Sequence, residues 1–229
     1  LPNKTLNIAL AGTGVGKSLF MCHCASASLL QGRNVLYITL EMAEEKIAER
    51  IDANLLDVSI QTLSDPLFTK AKYQNKIDVL NKKTQGKLVI KEYPTASANS
   101  NHFKSLLNEL SLKKGFKPHI IFVDYLNICA SSRFYGNIVN SYSYVKSFAE
   151  ELRGLAVETN VPIVSATQTT RSGFGSTDVD LTDTSESFGL PATADLMFAL
   201  ILKGYSSSVI GSVRFTACHL SSLSDPVSY

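Results

Sequence analysis

The run Ile8-Ala9-Leu10-Ala11-Gly12-Thr13-Gly14-Val15-Gly16-Lys17-Ser18 passes from a short apolar segment through a glycine-rich turn to a Lys-Ser pair. It fits the phosphate-binding pattern of Ala or Gly, four residues, then Gly-Lys and Ser or Thr, with Ala11 in the first position. Gly12, Gly14 and Gly16 let the backbone fold tightly, so that successive N–H groups point inward at an anion. A helix opening at Lys17-Ser18 adds its orphan N–H groups and the positive end of its dipole. Lys17 is long enough to reach β- and γ-phosphates, and the Ser18 hydroxyl suits a Mg²⁺ position. Gly12, Thr13, Gly14, Val15, Gly16, Lys17, Ser18 and Leu19 are therefore the expected nucleotide-binding run. Alanine at position 11 is tolerable because a strand end keeps φ negative.

Around this run the sequence alternates strands and helices. Leu6 to Ala11 is the first strand, and the helix from Lys17 ends near Leu30, with Gln31-Gly32 as its cap. Asn34 to Leu40 is apolar nearly throughout, as suits a parallel sheet covered on both faces. A helix from about Ala43 to Leu56 repeats Ile47, Ile51 and Leu55 at helical spacing. Ser64-Asp65-Pro66 reads as the opening of a lysine-rich outer helix that runs to about Lys83. Further strands are expected at Lys87 to Glu92, His119 to Asp124, Val161 to Ala166 and Leu196 to Leu202. Helices are expected at Asn101 to Gly115 and Ser143 to Thr159. Ala130 to Ser141 and Thr169 to Ser187 read as polar loops, the second long enough to suggest function or disorder. The pattern predicts an α/β fold with a mostly parallel sheet and helices on both faces.

From Gly204 the composition changes, with Arg214 the one cation. Val209 to Phe215 is a candidate strand there. The domain is expected over 1–203, with 204–229 a separate C-terminal segment. The chain starts just ahead of its first strand without Met, as an excised domain would.

Composition narrows the classes. With 229 residues and 45% hydrophobic content, the chain can bury a large single core. A net charge of +2 advertises no overall basic surface. Cys22, Cys24, Cys129 and Cys218 fit neither a disulfide framework nor a zinc site, so reduced thiols in a cytoplasmic setting are expected. His23, His102, His119 and His219 are scattered. No apolar run approaches a membrane span.

In an open parallel sheet, ligands sit beyond the carboxyl ends of the strands. That rule gathers Glu41, Asp124 and Gln168 on the rim that carries Lys17. Hydrolysis of a nucleoside triphosphate needs a metal-associated acid, a group that activates water and a detector of the γ-phosphate. Asp124, after the apolar Ile120 to Val123, suits the first, touching Mg²⁺ directly or through water. Its other reading is a strand-terminal Asp that caps a turn. Glu41 is either a general base or a first-turn acid beside a helix dipole. Gln168 alone is either a γ-phosphate contact or an ordinary loop glutamine.

The chain resembles the C-terminal motor domain of RecA-like hexameric replicative helicases of the DnaB type, especially those of T-even-like phages. The resemblance rests on Ala11 to Ser18, Tyr37-Ile-Thr-Leu-Glu-Met-Ala-Glu-Glu45, Arg50-Ile-Asp-Ala-Asn54 and Ile121-Phe-Val-Asp-Tyr-Leu126. It rests also on Asn160-Val-Pro-Ile-Val164, Ala166-Thr-Gln-Thr-Thr-Arg171 and Phe188-Gly-Leu-Pro-Ala-Thr-Ala-Asp195. It implies a RecA-like P-loop ATPase core that uses ATP and Mg²⁺. Lys17 and Ser18 would bind phosphates and Mg²⁺, Glu41 would be the catalytic base, Asp124 the Mg²⁺-associated acid and Gln168 the γ-phosphate sensor. Loops near Ala130 to Asn140 and Thr169 to Ser187 would face single-stranded DNA, with Arg133 and Arg171 as their cations.

The resemblance further implies self-association into a ring or filament, and contacts with primase and other replication proteins in a phage or bacterial host cytoplasm. Two departures from the family pattern stand out in this sequence: it does not include the family's separate N-terminal domain, and no Lys/Arg finger pair is evident after the expected sixth strand. Lys203 and Arg214 are the candidate substitutes. Without such a finger, hydrolysis by this chain alone is expected to be weak, since a finger contributes about 10³-fold or more. The rival readings are a RecA- or KaiC-type ATPase that assembles or signals without unwinding, and a nucleotide-holding fragment with negligible turnover.

Overall fold

The computed structural model describes residues 1–133, 141–168, 189–202 and 213–220. Along the chain run β1 (Leu6–Ala11), α1 (Lys17–Leu30), β2 (Val35–Thr39), α2 (Glu44–Leu56), α3 (Ile60–Leu63) and α4 (Lys70–Lys83). Then follow β3 (Leu88–Glu92), α5 (Ser100–Lys114), β4 (Ile120–Asp124), a 3-10 turn at Leu126–Ile128 and α6 (Ser141–Thr159). β5 (Ile163–Gln168), α7 (Gly189–Thr193), β6 (Leu196–Leu202) and β7 (Val213–Leu220) complete the described chain.

The strands form one sheet in the order β3-β2-β4-β5-β1-β6-β7. Every pairing is parallel except β6 with β7, which is antiparallel. The expected mostly parallel sheet is present. Strand pleating divides the apolar residues between two cores, because successive side chains face opposite ways. Leu36, Ile38, Ile121 and Val123 pack with Phe103 of α5 and Phe148 and Leu152 of α6. Val35, Tyr37, Ile120 and Phe122 pack on the other face with Met21 and Ala25 of α1 and Ile47 and Ile51 of α2. The continuous apolar runs in β2 and β4 follow from this double coverage.

One local expectation is corrected. The outer helix does not open at Ser64-Asp65-Pro66. Asp65 instead closes a turn, its carboxylate accepting from Leu67 N at 2.8 Å and its carbonyl from Phe68 N at 2.8 Å. The helix begins at Lys70 with Thr69 as its cap, and it buries none of its residues, as its polar composition predicts. Of the strand expected at Val209 to Phe215, residues 209–212 lie outside the described residues, while Val213–Leu220 is a strand whose backbone extends the same sheet. The short helices α3 and α7 have no counterpart among the expectations. The run from 169 to 188 lies outside the described residues, as does 134–140.

Candidate nucleotide-binding site

The glycine-rich turn owes its shape to two positions. Gly14 has φ +77° and Gly16 φ +102°, a region that L side chains rarely adopt. Gly12 has no positive φ. It closes the turn through its carbonyl, which accepts from Val15 N at 3.3 Å. Gly16 caps α1 without any side-chain hydrogen bond, so the first-turn N–H groups stay open to an anion. Above the turn lies a cavity of about 260 Å³, lined by Thr13, Gly14, Gly16, Lys17, Ser18 and Leu19 from the phosphate loop. Glu41, Arg50 and Gln168 complete its wall. Gly12 and Val15, expected in the nucleotide-binding run, are not among the residues that line it.

Strand register explains the convergence. Ala11 at the end of β1 pairs with Gln168 at the end of β5, and Thr39 at the end of β2 pairs with Asp124 at the end of β4. Four strands thus stop along one rim. Glu41 stands two residues past β2, on a turn clamped by Thr39. The Thr39 hydroxyl donates to Met42 O at 2.8 Å and accepts from Met42 N at 3.1 Å. The exposed Glu41 is therefore aimed by a fixed backbone.

Lys17 is buried at 9% exposure, yet its Nζ makes only a long 3.4 Å contact with Gly12 O. The ammonium also lies 5.5 Å from the Tyr125 ring centre. Burial holds its pKa below that of an ordinary lysine, while the charges of Glu41 and Asp124 push it back up. An ammonium held this way gains most from an anion.

Asp124 is fully buried. Tyr37 donates its hydroxyl to Oδ2 at 3.0 Å, whereas Oδ1 has no hydrogen-bond partner. Burial raises the Asp124 pKa, the hydroxyls of Ser18 and Tyr37 lower it, Glu41 raises it and Arg50 lowers it. The Ser18 hydroxyl therefore acts on this carboxylate without closing a bond to Oδ1. Buried polar atoms are nearly always paired. An orphaned carboxylate oxygen beside a serine hydroxyl is a hard-oxygen donor set of the kind Mg²⁺ takes, together with water and phosphate oxygens. The residues fit the metal.

Two further side chains belong to the site, and sequence alone gives them no role. Arg50, on α2, lines the cavity and forms no ion pair among the described residues. Tyr125, next after Asp124, accepts a hydrogen bond from Gln168 Nε2 at 3.2 Å and faces Lys17. Both stand within the quoted motifs, but only the fold brings them to the cavity. The DNA-facing expectations fare differently. Arg133 is exposed and paired with Glu150 at 2.5 Å, while Arg171 lies outside the described residues. Lys203 also lies outside them. No group of three or more His, Cys, Asp or Glu able to hold a metal exists among the described residues.

The family described as DnaB-like helicase C terminal domain matches residues 1–209. The chain belongs to this family. It is 52% identical over 198 residues to the DnaB-like replicative helicase of Enterobacteria phage T4, covering 86% of this chain and 42% of that protein. Among solved structures, one described as an ATPase domain superposes with a TM-score of 0.74 at 17% identity, over 95% of this chain and 81% of that one. A DnaB-like replicative helicase, solved in a study of its interactions with primase, gives a TM-score of 0.73 at 17% identity, over 94% and 55%. These likenesses establish the RecA-like ATPase fold. The chain spans less than half the length of its phage relative.

Proposed function

We propose that this DnaB-like domain is the ATP-binding and ATP-hydrolysing motor of a replicative DNA helicase that moves on single-stranded DNA. The observation that carries the reading is one cavity at the phosphate loop, where Lys17, Glu41, Arg50 and Gln168 meet above the buried Asp124. Each residue has a task there. The open N–H groups of α1 and the Lys17 ammonium bind the β- and γ-phosphates. Ser18 and Asp124 hold Mg²⁺, which when bound neutralises charge on the phosphate oxygens. Glu41 takes the proton of the attacking water. Gln168 leaves the Tyr125 hydroxyl to contact the γ-phosphate.

The larger assembly is part of the same reading. Copies of the domain associate into a ring or filament, with ATP between neighbours and loops of both copies gripping one DNA strand. Primase and other replication proteins are its partners, in the cytoplasm of a phage-infected or bacterial cell. Among the described residues no helix is long and apolar enough to cross a membrane.

The test is ATP turnover across a range of protein concentrations, with and without single-stranded DNA. The reading predicts Mg²⁺-dependent hydrolysis that DNA stimulates and that rises more than linearly with concentration. Tight nucleotide binding without turnover under any condition would overturn it and leave a nucleotide-holding module.

A further inference from the structure

Tyr37 lies in the middle of β2, inside a run that sequence alone assigns to the core. It is fully buried, and its ring stacks on Phe122 with centroids 5.8 Å apart and planes at 17°. Tyr37 and Phe122 are register partners across β2 and β4, and Asp124 is the next residue on the same face of β4. Diagonal neighbours of this kind lie within reach of an aromatic side chain. The phenol spans that diagonal and donates to Asp124 Oδ2 at 3.0 Å. Behind it, Cys22 Sγ of α1 stands 3.8 Å from the same hydroxyl.

A phenylalanine would fill the same space and keep the stacking. The hydroxyl costs desolvation in this core, and Asp124 is the acceptor that offsets it. The carboxylate is thereby partnered unequally, with Oδ2 engaged and Oδ1 bare. We infer that Tyr37 is a positioning residue: its hydroxyl fixes the rotation of the Asp124 carboxylate and leaves Oδ1 for the divalent cation of a bound nucleotide. The inference rests on the nucleotide-binding reading above. It assigns Tyr37 no contact with substrate or metal. Outer-shell partners of this kind alter metal affinity by about 10- to 100-fold.

The experiment titrates Mg²⁺ against a fluorescent ATP analogue and the 229-residue chain, comparing wild type, Tyr37→Phe and Cys22→Ala. Analogue binding in EDTA and thermal unfolding without nucleotide are measured alongside. Tyr37→Phe should raise the half-saturating Mg²⁺ concentration about tenfold or more, with EDTA binding and cooperative melting preserved. Cys22→Ala should leave the Mg²⁺ titration in place, since it removes only the contact behind the phenol. On the wild-type chain, the carbon NMR signal of the labelled Tyr37 ring should shift when Mg²⁺ is added to the nucleotide complex. A Tyr37→Phe titration within about twofold of wild type, or an unmoved Tyr37 signal, would overturn the inference and leave nucleotide binding intact. Wild-type binding with no dependence on Mg²⁺ would overturn both.

Discussion

Two aspartates at opposite rims of the sheet show how differently one fold treats its carboxylates. Asp195, just ahead of β6, is engaged on every side the chain offers. It accepts from Leu6 N at 2.9 Å and from Arg153 Nε and Nη2 at 3.2 and 2.9 Å, and its own N–H donates to Leu6 O. Asp124, at the end of β4, keeps one oxygen bare in the core. The wider rims repeat the contrast. A groove of about 670 Å³ between α6 and α7 is larger than the phosphate-loop cavity, yet its ionic groups are already paired. Arg153 holds Asp195, Glu150 holds Arg133 and Glu158 holds Lys104. At the smaller cavity, Lys17 and Arg50 have no carboxylate within ion-pair distance among the described residues. Satisfied polar groups fasten the fold, and unsatisfied ones are positioned for a ligand.

Substitutions can break this contrast in order of effect. Glu41→Gln should lower turnover by about 10²- to 10⁴-fold, the usual worth of a positioned base, with ATP binding retained in an equilibrium assay. Loss of binding along with turnover would make Glu41 a ligand-holding residue instead. Asp124→Asn should weaken Mg²⁺-dependent nucleotide binding about 10- to 100-fold while leaving the unliganded fold as stable or slightly more so.

The sign of that stability effect follows from the raised Asp124 pKa. The folded chain holds this proton more tightly than the unfolded one, so burying the charge costs stability above the folded pKa. Below the ordinary aspartate range the cost is absent. Any advantage of Asp124→Asn should therefore appear at neutral pH and vanish in acid, as chemical denaturation across pH would read. The same shift makes wild-type Mg²⁺-dependent binding fail on acidification while ordinary carboxylates are still charged.

Asp195→Ala should do the reverse. It strands the buried Leu6 N–H and frees Arg153, costing about 1–3 kcal/mol of stability with nucleotide affinity unchanged. The smallest expected effect is Tyr125→Phe. Removing the hydroxyl that Gln168 occupies should change turnover by a few-fold and reduce the response to single-stranded DNA, with the melting temperature close to wild type. A full loss of turnover would show that Tyr125 does more than hold Gln168.

The site is legible in sequence to the depth at which strands end. The pattern from Ala11 to Ser18 specifies a local structure, and β1 and α1 form over the expected residues. Apolar runs that stop at Asp124, near Glu41 and at Gln168 place those residues on the rim by the topology of parallel sheets. Tyr37, Arg50 and Tyr125 are not assignable that way, because their roles depend on cross-strand register and helix docking. Tyr37 reads as one more β-former in an apolar strand.

Ser64-Asp65-Pro66 misleads for a local reason. Asp serves a turn as readily as a helix cap, and Thr69 four residues on supplies the cap. The antiparallel β7 is described over Val213–Leu220 and reaches five residues past the end of the expected strand, since an edge strand in a polar segment carries weak patterning. Gly12 looks like a turn glycine but needs no left-handed backbone, whereas Gly14 and Gly16 do.

The most direct test of the two-aspartate contrast is thermal unfolding of wild type, Asp124→Asn and Asp195→Ala, each with and without Mg²⁺ and ATP. Ligand at 100 times its Kd stabilises by about 2.7 kcal/mol, a rise of roughly 5–10 °C for a domain of this size. Asp124→Asn should keep the unliganded melting temperature and lose most of the rise. Asp195→Ala should melt lower and keep the rise in full. An Asp124→Asn chain that retains the wild-type rise would contradict the assignment of the bare oxygen to a metal-bound nucleotide.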